Sequence, residues 1–262
     1  MKKQSIFGKQ NNMGKVITLS NHKGGVGKTT STINIGAALH QQGKRVLLID
    51  LDPQANLTQS LRLMVDDTNY TIYGAIRGLA PLKPISVAKD FDVIPSTLDL
   101  SGAEIELSAE TGREYILKEL LDSIRSVYDF ILIDSPPSLG LLTLNALTAS
   151  DEVLIPLQAE YLATQGLSKL LEIVDKIQKR LNKSLIIGGV FITQYDGRKV
   201  LNRNVVDTVG TRFSQYMLQT KIRDNVALAE SPAAGLDIFR YSPKSNGADD
   251  YTALASEILS RM

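Results

Sequence analysis

Residues 21–30 read Asn-His-Lys-Gly-Gly-Val-Gly-Lys-Thr-Thr and lie between two segments of different periodicity. Residues 16–19 have the apolar composition of a strand, and residues 30–42 carry apolar side chains at helical spacing. A glycine-rich turn between a strand and a helix directs several backbone N–H groups to one point at the helix N-terminus, where phosphate groups bind. This stretch predicts a loop that binds a nucleoside triphosphate.

The loop departs from the usual pattern G-x-x-x-x-G-K-[ST] at its first position, where His22 replaces glycine. The end of the pattern is intact: Lys28 is placed to reach the β- and γ-phosphates, and the Thr29 hydroxyl suits Mg²⁺. We therefore predict that the nucleotide is contacted by a continuous run of loop residues, namely Lys23, Gly24, Gly25, Val26, Gly27, Lys28, Thr29 and Thr30.

A second lysine, Lys23, stands at the mouth of the loop. Because Lys28 already serves the nucleotide of its own chain, another cation here suggests a second set of phosphates. In a face-to-face dimer, Lys23 could reach the partner's nucleotide and neutralise the charge that develops during hydrolysis, as an arginine finger does. The alternative is a solvated surface lysine, which is the usual environment of this residue type.

Composition narrows the class of protein. The 262 residues, 43% of them hydrophobic and 22% charged, suffice for one large α/β domain. A net charge of +1 argues against a uniformly basic nucleic-acid binder but permits a local basic patch. The absence of cysteine excludes disulfides, thiolate metal sites and cysteine nucleophiles. We interpret residues 1–13 as a mobile N-terminal extension without the apolar core of a secretory signal, and residues 14–262 as a single P-loop ATPase domain.

Strand-like and helix-like segments alternate along the chain, which predicts the α/β class: one doubly wound, mostly parallel sheet with helices on both faces. Strands are expected at residues 16–19, 45–50, 91–95, 129–134, 152–157 and 184–193. Helices are expected at residues 30–42, 103–127 with an interruption at Gly112, 164–181, 199–213 and 251–262. Residues 62–90 have the weakest pattern and are expected to hold loops and short helices. No apolar run approaches 18 residues, so no membrane span is expected.

Three aspartates end apolar runs, at the sheet edge where open α/β folds bind ligands. Asp134 is followed by Ser-Pro-Pro, and an acid in this place next to a phosphate loop typically positions Mg²⁺. Asp50 and Asp52 would point the same way by strand alternation, so Asp50 is a further candidate metal ligand and Asp52 could orient the attacking water. The alternative for each is that its carboxylate caps a following helix or turn.

Four segments together resemble the ParA/MinD family of deviant Walker A ATPases, and most of all its ParA branch, which partitions plasmids and chromosomes. They are KGGVGKTT at 23–30, LLIDLDPQAN at 47–56, FILIDSPPSLG at 130–140 and SPKSNGADDY at 242–251. They occur in the order typical of the family, and the resemblance covers residues 13–262. It implies the P-loop NTPase fold, ATP and Mg²⁺ as ligands, and ATP hydrolysis.

The resemblance also implies residue roles. Lys23 corresponds to the signature lysine that acts across an ATP sandwich dimer, and Gly24 to a position where bulk would block close approach of the protomers, so both are expected at the dimer interface. Lys28 corresponds to the phosphate-binding lysine. The catalytic set implied is Lys23, Lys28 and Asp52, and the Mg²⁺ set is Thr29 and Asp134, to which the strand pattern adds Asp50.

DNA contacts are less well defined by the sequence. ParA proteins hold nonspecific DNA through basic residues near the C-terminal region, and the corresponding candidates here are Arg198, Lys199, Arg203, Arg223 and Lys244. The family often reads I-P-R-N-V-R-L where residues 222–228 read IRDNVAL, so one arginine is shifted and an alanine replaces another. A solvated helix face is the alternative for the first three candidates. Contacts to the nucleotide base are expected from residues 193–196 and from the SPKSNGA run.

The function implied by the resemblance is that of a ParA-type DNA-partition ATPase in the cytoplasm, associated with the nucleoid. ATP would drive formation of a homodimer that binds nonspecific DNA, and a ParB-like centromere-binding protein would stimulate hydrolysis and release. The extension before the first strand is too short for a helix-turn-helix domain, which would be needed for operator binding.

Other functions stay open at this stage: positioning of a non-DNA cargo, a metabolic enzyme on the same scaffold, or a MinD-like membrane-positioning ATPase. The C-terminal helix has an apolar stripe, but its polar face carries only Arg261 as a cation, whereas interfacial helices are rich in Lys and Arg. We therefore expect this helix to pack on its own core and expect no membrane partner.

Overall fold

The computed structural model describes residues 13–160 and 162–262, and it contains one sheet of eight strands. The strands are β1 Lys15–Leu19, β2 Val46–Asp50, β3 Ile85–Ala88, β4 Phe91–Ile94, β5 Phe130–Asp134, β6 Glu152–Gln158, β7 Ile186–Tyr195 and β8 Met217–Arg223. Their order across the sheet is β3-β4-β2-β5-β1-β6-β7-β8. All of the pairings are parallel except that of β3 with β4. The predicted fold class is confirmed.

Helices connect the strands as a parallel sheet requires. They are α1 Lys28–Gln41, α2 Asn56–Ser60, α3 Ile72–Ile76, α4 Leu100–Glu106, α5 Ile116–Asp122, α6 Leu141–Ala149, α7 Ala163–Arg180, α8 Val200–Arg212, α9 Val226–Ala234, α10 Ile238–Tyr241 and α11 Asn246–Ser260. Short 3₁₀ turns occur at Thr68–Tyr70, Arg125–Val127 and Ser214–Tyr216. Of the predicted extension at residues 1–13, all but Met13 lies outside the described residues.

The core lies on both faces of the sheet. Alternate residues of β2 enter different clusters: Leu48 packs with α1 and α11, whereas Leu47 packs with α3 to α6. A third cluster joins β6 and β7 to α7 and α8. Strands covered on both faces are apolar along most of their length, which explains why VLLID and FILID are each apolar up to the final aspartate.

Three parts of the secondary structure differ from the sequence prediction. The interruption predicted at Gly112 is present, with a left-handed φ of 75°, but the helices on either side are shorter than the expected 103–127 and consist of α4, α5 and a 3₁₀ turn. β3 lies within the weakly patterned segment 62–90. β8 was not predicted because it is an edge strand with a half-exposed sequence, MLQTKIR, that lacks a continuous apolar run.

The C-terminal helix α11 packs on the chain's own core, as predicted. It begins at Asn246, where the Ser245 hydroxyl accepts a hydrogen bond from the Ala248 N–H at 3.3 Å. Its apolar stripe packs against α1 and β8: Tyr251, Leu254, Ala255 and Ile258 are buried, and Leu259 is half-buried. Across residues 13–160 and 162–262, no helix is both long enough and apolar enough to cross a bilayer.

The position of β1 assembles the site. β1 lies between β5 and β6, and the carboxyl ends of β1, β2 and β5 meet at one edge of the sheet. In the register of these strands, Leu19 and Asp50 both pair with Asp134. The glycine-rich loop that follows β1 and the three predicted aspartates are therefore brought together by strand pairing alone.

Candidate functional site

The glycine-rich loop has the backbone of an anion-binding turn. Gly25 and Gly27 have φ angles of +76° and +84°, a left-handed conformation in which a side chain would be strained. Gly27 is the residue before α1, so the free N–H groups of the helix N-terminus open onto the loop. The loop therefore presents backbone donors and the positive end of the helix dipole to the same space.

Side chains from neighbouring strands hold this loop in place. The buried amide of Asn21 donates to the Pro156 carbonyl at 2.8 Å and accepts from the Lys23 N–H at 3.0 Å. The Thr193 hydroxyl donates to the Val26 carbonyl at 2.9 Å. These bonds tie the loop to the ends of β6 and β7, so its conformation is set before any ligand binds.

The two loop lysines have different environments. Lys28 is only 7% exposed, and its ammonium lies 3.3 Å from the Lys23 carbonyl. Burial lowers the pKa of Lys28, although Asp134 and Asp52 oppose that shift. Lys23 lies at the rim, with about half of its side chain exposed, and pairs with Glu160. Lys28 thus faces its own loop, whereas Lys23 faces outward.

Thr29 and Asp134 form a site that fits Mg²⁺. The Thr29 hydroxyl donates to Asp134 Oδ2 at 2.6 Å, while Asp134 Oδ1 is buried without a hydrogen-bond partner among the described residues. Burial, with Asp50 nearby, raises the pKa of Asp134 well above its usual range. A cation beside Oδ1 would give that oxygen a partner and would stabilise the charged form of the buried carboxylate.

No three His, Cys, Asp or Glu side chains converge on a metal site anywhere in the described parts of the chain. A Mg²⁺ ion here would therefore depend on phosphate oxygens and water for most of its ligands. That dependence is usual for magnesium in nucleotide sites.

Asp50 is buried and already engaged. Its Oδ2 accepts from the Thr58 N–H at 2.9 Å and from the Thr58 hydroxyl at 2.7 Å, and its Oδ1 accepts from the Asp52 N–H at 3.3 Å. Burial raises its pKa to about 6. These bonds fix α2 against the end of β2, and a metal-binding role for Asp50 stays a prediction.

Asp52 lies two residues after Asp50, in the loop that joins β2 to α2. It is buried, and its Oδ1 accepts from the Gln54 N–H at 2.9 Å, which is the turn-capping contact foreseen as the alternative. That bond occupies one lobe of one oxygen. The carboxylate therefore retains acceptor capacity for a water, and its catalytic role stays a prediction.

The predicted DNA-binding residues separate into two groups. A cavity of about 620 Å³ brings Arg198, on the turn after β7, together with Arg223, at the end of β8. Each is paired with a carboxylate: Arg198 with Asp196 at 2.9 Å, and Arg223 with Asp250 at 2.7 Å. Residues outside the cavity lining are Lys199 beside Asp196, Arg203 bonded to backbone carbonyls of the turn, and the exposed Lys244.

A cavity of about 300 Å³ adjoins the glycine-rich loop and could accept a nucleoside. Its lining includes Gly27, Thr30 and Thr193, of which Thr193 belongs to the predicted base-binding run. The SPKSNGA run does not line it, and residues 222–229 do so instead, including Asn225. No local pattern in the sequence marks these residues as part of the cavity, because only the pairing of β8 with β7 carries them to the loop.

Comparisons with known proteins identify the family of this chain. Residues 14–187 match the protein family described as AAA domain. The chromosome-partitioning ATPase Soj of Treponema pallidum is 46% identical over 252 residues, covering 95% of this chain and 98% of that protein. The chromosome partitioning protein ParA of Myxococcus xanthus is 42% identical over 252 residues, covering 95% of this chain and 89% of that protein.

A solved structure with a similar fold bears on the ligands. Cobyrinic acid a,c-diamide synthase from Mycobacterium smegmatis, with bound ADP and magnesium, superposes with a TM-score of 0.83 at 36% identity, covering 94% of each chain. The predictions of an ATPase and of ATP and Mg²⁺ as its ligands are confirmed. The chain belongs to the ParA/MinD family of deviant Walker A ATPases, within its ParA branch of partition ATPases.

Proposed function

We propose that this chain is the ATP-dependent, DNA-binding component of a partition system, and that its active form is a homodimer. Two copies bound to ATP and Mg²⁺ associate through their loop edges, and the dimer binds nonspecific DNA. A ParB-like centromere-binding protein then stimulates hydrolysis and releases the dimer. The observation that carries this proposal is the outward-facing Lys23, which sits beside a complete loop that has its own buried Lys28.

The edge around Lys23 has the composition of an interface. Leu162, just before α7, is 58% exposed and lines a cavity together with Lys23 and Gly24. A Cβ added at Gly24 would meet no atom of residues 13–160 or 162–262 within 4 Å, so nothing in the described part of the chain requires a small residue there, as a second copy packed closely against it would. An exposed apolar side chain beside a charged group is typical of surfaces that bind another protein, here a second copy.

The proposed reaction assigns one task to each group. Lys28 and the backbone of the loop bind the β- and γ-phosphates, while Thr29 and Asp134 hold Mg²⁺, which when bound neutralises phosphate charge. Asp52 orients the attacking water. Lys23 of the second copy supplies a positive charge that stabilises the negative charge developing on the phosphates in the transition state. Hydrolysis therefore requires the dimer.

The proposed DNA surface is the cationic turn after β7 together with the end of β8. Arg198 and Arg223 line one cavity, and Lys199, Arg203 and Lys244 extend the positive surface around it as further candidates. Contacts of this kind go to phosphates and carry no sequence information. We accordingly propose that the protein is cytoplasmic and nucleoid-associated, and that residues 1–13 are an extension of the single domain formed by residues 14–262.

The testing experiment uses the Asp52→Ala variant, which should bind ATP and dimerise without hydrolysing it. The variant is sedimented with plasmid DNA, and separately with anionic liposomes, in ATP or in ADP. We expect sedimentation with DNA in ATP only, fading as salt rises because counterion release drives the binding. Sedimentation with liposomes alone would replace this proposal by a membrane-positioning function. Sedimentation with neither would remove the DNA-binding step.

A further inference from the structure

One buried side-chain amide connects the loop after β6, which lies beside the glycine-rich loop, to the proposed DNA surface. Asn202, in the first turn of α8, is 8% exposed. Its Nδ2 donates to the Ala159 carbonyl at 2.9 Å, and its Oδ1 accepts from the Asp196 N–H at 2.9 Å. The side chain thereby joins two loops, one following β6 and one following β7, neither of which belongs to its own helix.

Each of these loops carries a carboxylate that pairs with a residue assigned a role in the proposed function. Ala159 precedes Glu160, the carboxylate that pairs with Lys23 at the loop edge. Asp196 accepts three hydrogen bonds from Arg198: from the backbone N–H at 3.0 Å, from Nε at 2.9 Å and from Nη2 at 3.0 Å. Asn202 therefore stands between the partner of the signature lysine and the partner of a DNA-binding candidate.

A second connection runs in parallel. Gln158 donates to the Gln194 side-chain oxygen at 2.7 Å, and Gln194 donates to the Gly25 carbonyl at 2.8 Å. Gln194 has a left-handed φ of 51°, a conformation that costs energy in a residue with a side chain and that its surroundings must maintain. It lies in β7, two residues before Asp196, so the strand end that leads into the Asp196–Arg198 turn is bonded directly to the glycine-rich loop.

The chemistry of the amide makes Asn202 a rigid connector. A buried amide needs both its donor and its acceptor satisfied, and breaking either bond leaves an unpaired polar group in the interior. A displacement of the Ala159–Glu160 loop would therefore draw Asn202 and the Asp196 N–H with it. When Lys23 leaves Glu160 to reach a partner's nucleotide, the loop that carried the ion pair is free to move.

We propose that Asn202 is a positioning residue that couples the release of Lys23 from Glu160 to the arrangement of the Asp196–Arg198 turn. Through this coupling, the DNA contacts adopt their binding geometry in the ATP dimer and not in the free monomer. This inference rests on the function proposed above and names a residue through which nucleotide state controls DNA affinity.

The chain offers a matched control. Asn182, in the turn after α7, is also buried and donates to three carbonyls, those of Leu147, Thr148 and Ser150, at 3.1, 3.0 and 2.7 Å. These bonds lie at the opposite edge of the sheet, where β6 begins. Asn182→Leu thus removes a buried amide of similar burial with no connection to either loop.

The experiment measures DNA affinity in ATP and in ADP for wild type, Asn202→Leu, Asn202→Asp and Asn182→Leu, each in the Asp52→Ala background to prevent turnover. Binding of a fluorescent ATP analogue and ATP-dependent dimerisation are measured on the same samples. Asn202→Asp keeps the acceptor for the Asp196 N–H but, when ionised at pH 8, cannot donate to the Ala159 carbonyl.

We expect both Asn202 variants to bind the nucleotide within about threefold of the background and to dimerise, while the ratio of DNA affinity in ATP to that in ADP falls at least roughly tenfold. Asn182→Leu should lower thermal stability and leave the ratio unchanged. An unchanged ratio in Asn202→Leu would overturn the coupling, and so would a normal ratio in Asn202→Asp, because a bond to Asp196 alone would then suffice.

Failure of the proposed function gives a different result. If the background protein itself shows the same DNA affinity in ATP and in ADP, there is no nucleotide control for Asn202 to transmit, and both proposals fall. If the background shows control and the Asn202 variants retain it, only the coupling is wrong.

Discussion

The cations of this protein occur in two settings that differ in what holds them. Lys28 is 7% exposed and is placed by a helix terminus, a left-handed glycine and the strand before it. The Arg198 side chain is 92% exposed and is held by a carboxylate two residues away. The first cation has its position fixed by the backbone fold, whereas the second has its position fixed by a single ion pair.

The two settings predict different responses to an anionic ligand. Lys28 loses little conformational freedom when phosphate arrives, because its position is already set. Arg198 and Arg223 must exchange their carboxylate partners for phosphates, and exposed ion pairs contribute little energy and are weakened by salt. The nucleotide site is therefore preorganised, while the proposed DNA surface depends on several weak exchanges.

The largest effect is expected when the two loop lysines are replaced one at a time. Lys28→Ala should weaken ATP binding by roughly 100-fold, because a buried cation that donates charged hydrogen bonds to phosphate is lost. Lys23→Ala should keep ATP affinity within a few-fold and abolish ATP-dependent dimerisation. Titration with a fluorescent ATP analogue and light scattering measure the two quantities. Equal losses of affinity in both variants would show that the lysines are not functionally distinct.

A second test concerns the cost of preorganisation. Asp134→Asn should raise the melting temperature of the nucleotide-free protein by roughly 2–4 °C, since it removes a buried charge beside Asp50, and should weaken Mg²⁺-dependent ATP binding. The folded-state pKa of Asp134, about 8, lies above its unfolded value of 3.8. The free energy of unfolding of the wild type therefore falls as the pH rises between these two values. The gain should therefore be larger at pH 8 than at pH 5. A lower melting temperature at both pH values would contradict this account.

Replacing the surface arginines should have a smaller effect, and on DNA binding instead of ATP binding. Arg198→Ala and Arg223→Ala should each weaken ATP-dependent DNA binding roughly three- to tenfold and reduce the slope of log affinity against log salt by about 1. Lys179→Ala is the control, because Lys179 is exposed and paired with Asp175 on α7, away from the cavity. Fluorescence anisotropy over a salt series gives both quantities. Slopes unchanged in both arginine variants would place the DNA surface elsewhere.

The smallest expected effect releases one ion pair. Asp196→Asn removes the charge that holds Arg198, so DNA affinity in ATP should rise about two- to threefold, within the range of an exposed ion pair. The same anisotropy assay at low salt measures it. A decrease would show that Asp196 positions Arg198 for DNA and does not compete with it, and the two settings would then be more alike than proposed.

The sequence could predict the parts of the site that local geometry encodes. The left-handed glycines, Lys28 at a helix start and Asp134 at a strand end are each specified within a few residues, and strand pairing then brings them together. Six of the eight strands were predicted because each is a buried apolar run or a segment bounded by turns.

What the sequence could not show depends on contacts between distant residues. Thr58, which binds Asp50, and Glu160, which pairs with Lys23, are chosen by tertiary packing, and no local pattern identifies them. Asn202 reads as an ordinary polar position on a helix, yet it is buried between two loops. The same dependence explains why residues 222–229, carried to the loop by β8, were missed as part of the nucleoside cavity.

The central position of β1 has a consequence for synthesis of the chain. The strand that carries the nucleotide loop is made long before its neighbours in the sheet: Lys15 pairs with Phe130, and Ile17 pairs with Glu152. At roughly 5–20 residues per second, a ribosome needs many seconds to deliver β5 after β1 has been made. During that time β1 exposes an apolar strand with both edges unpaired, which is a condition that favours aggregation. Nucleotide binding should therefore appear only after more than half of the chain has been translated, and the nascent N-terminal half is where a chaperone would be needed most.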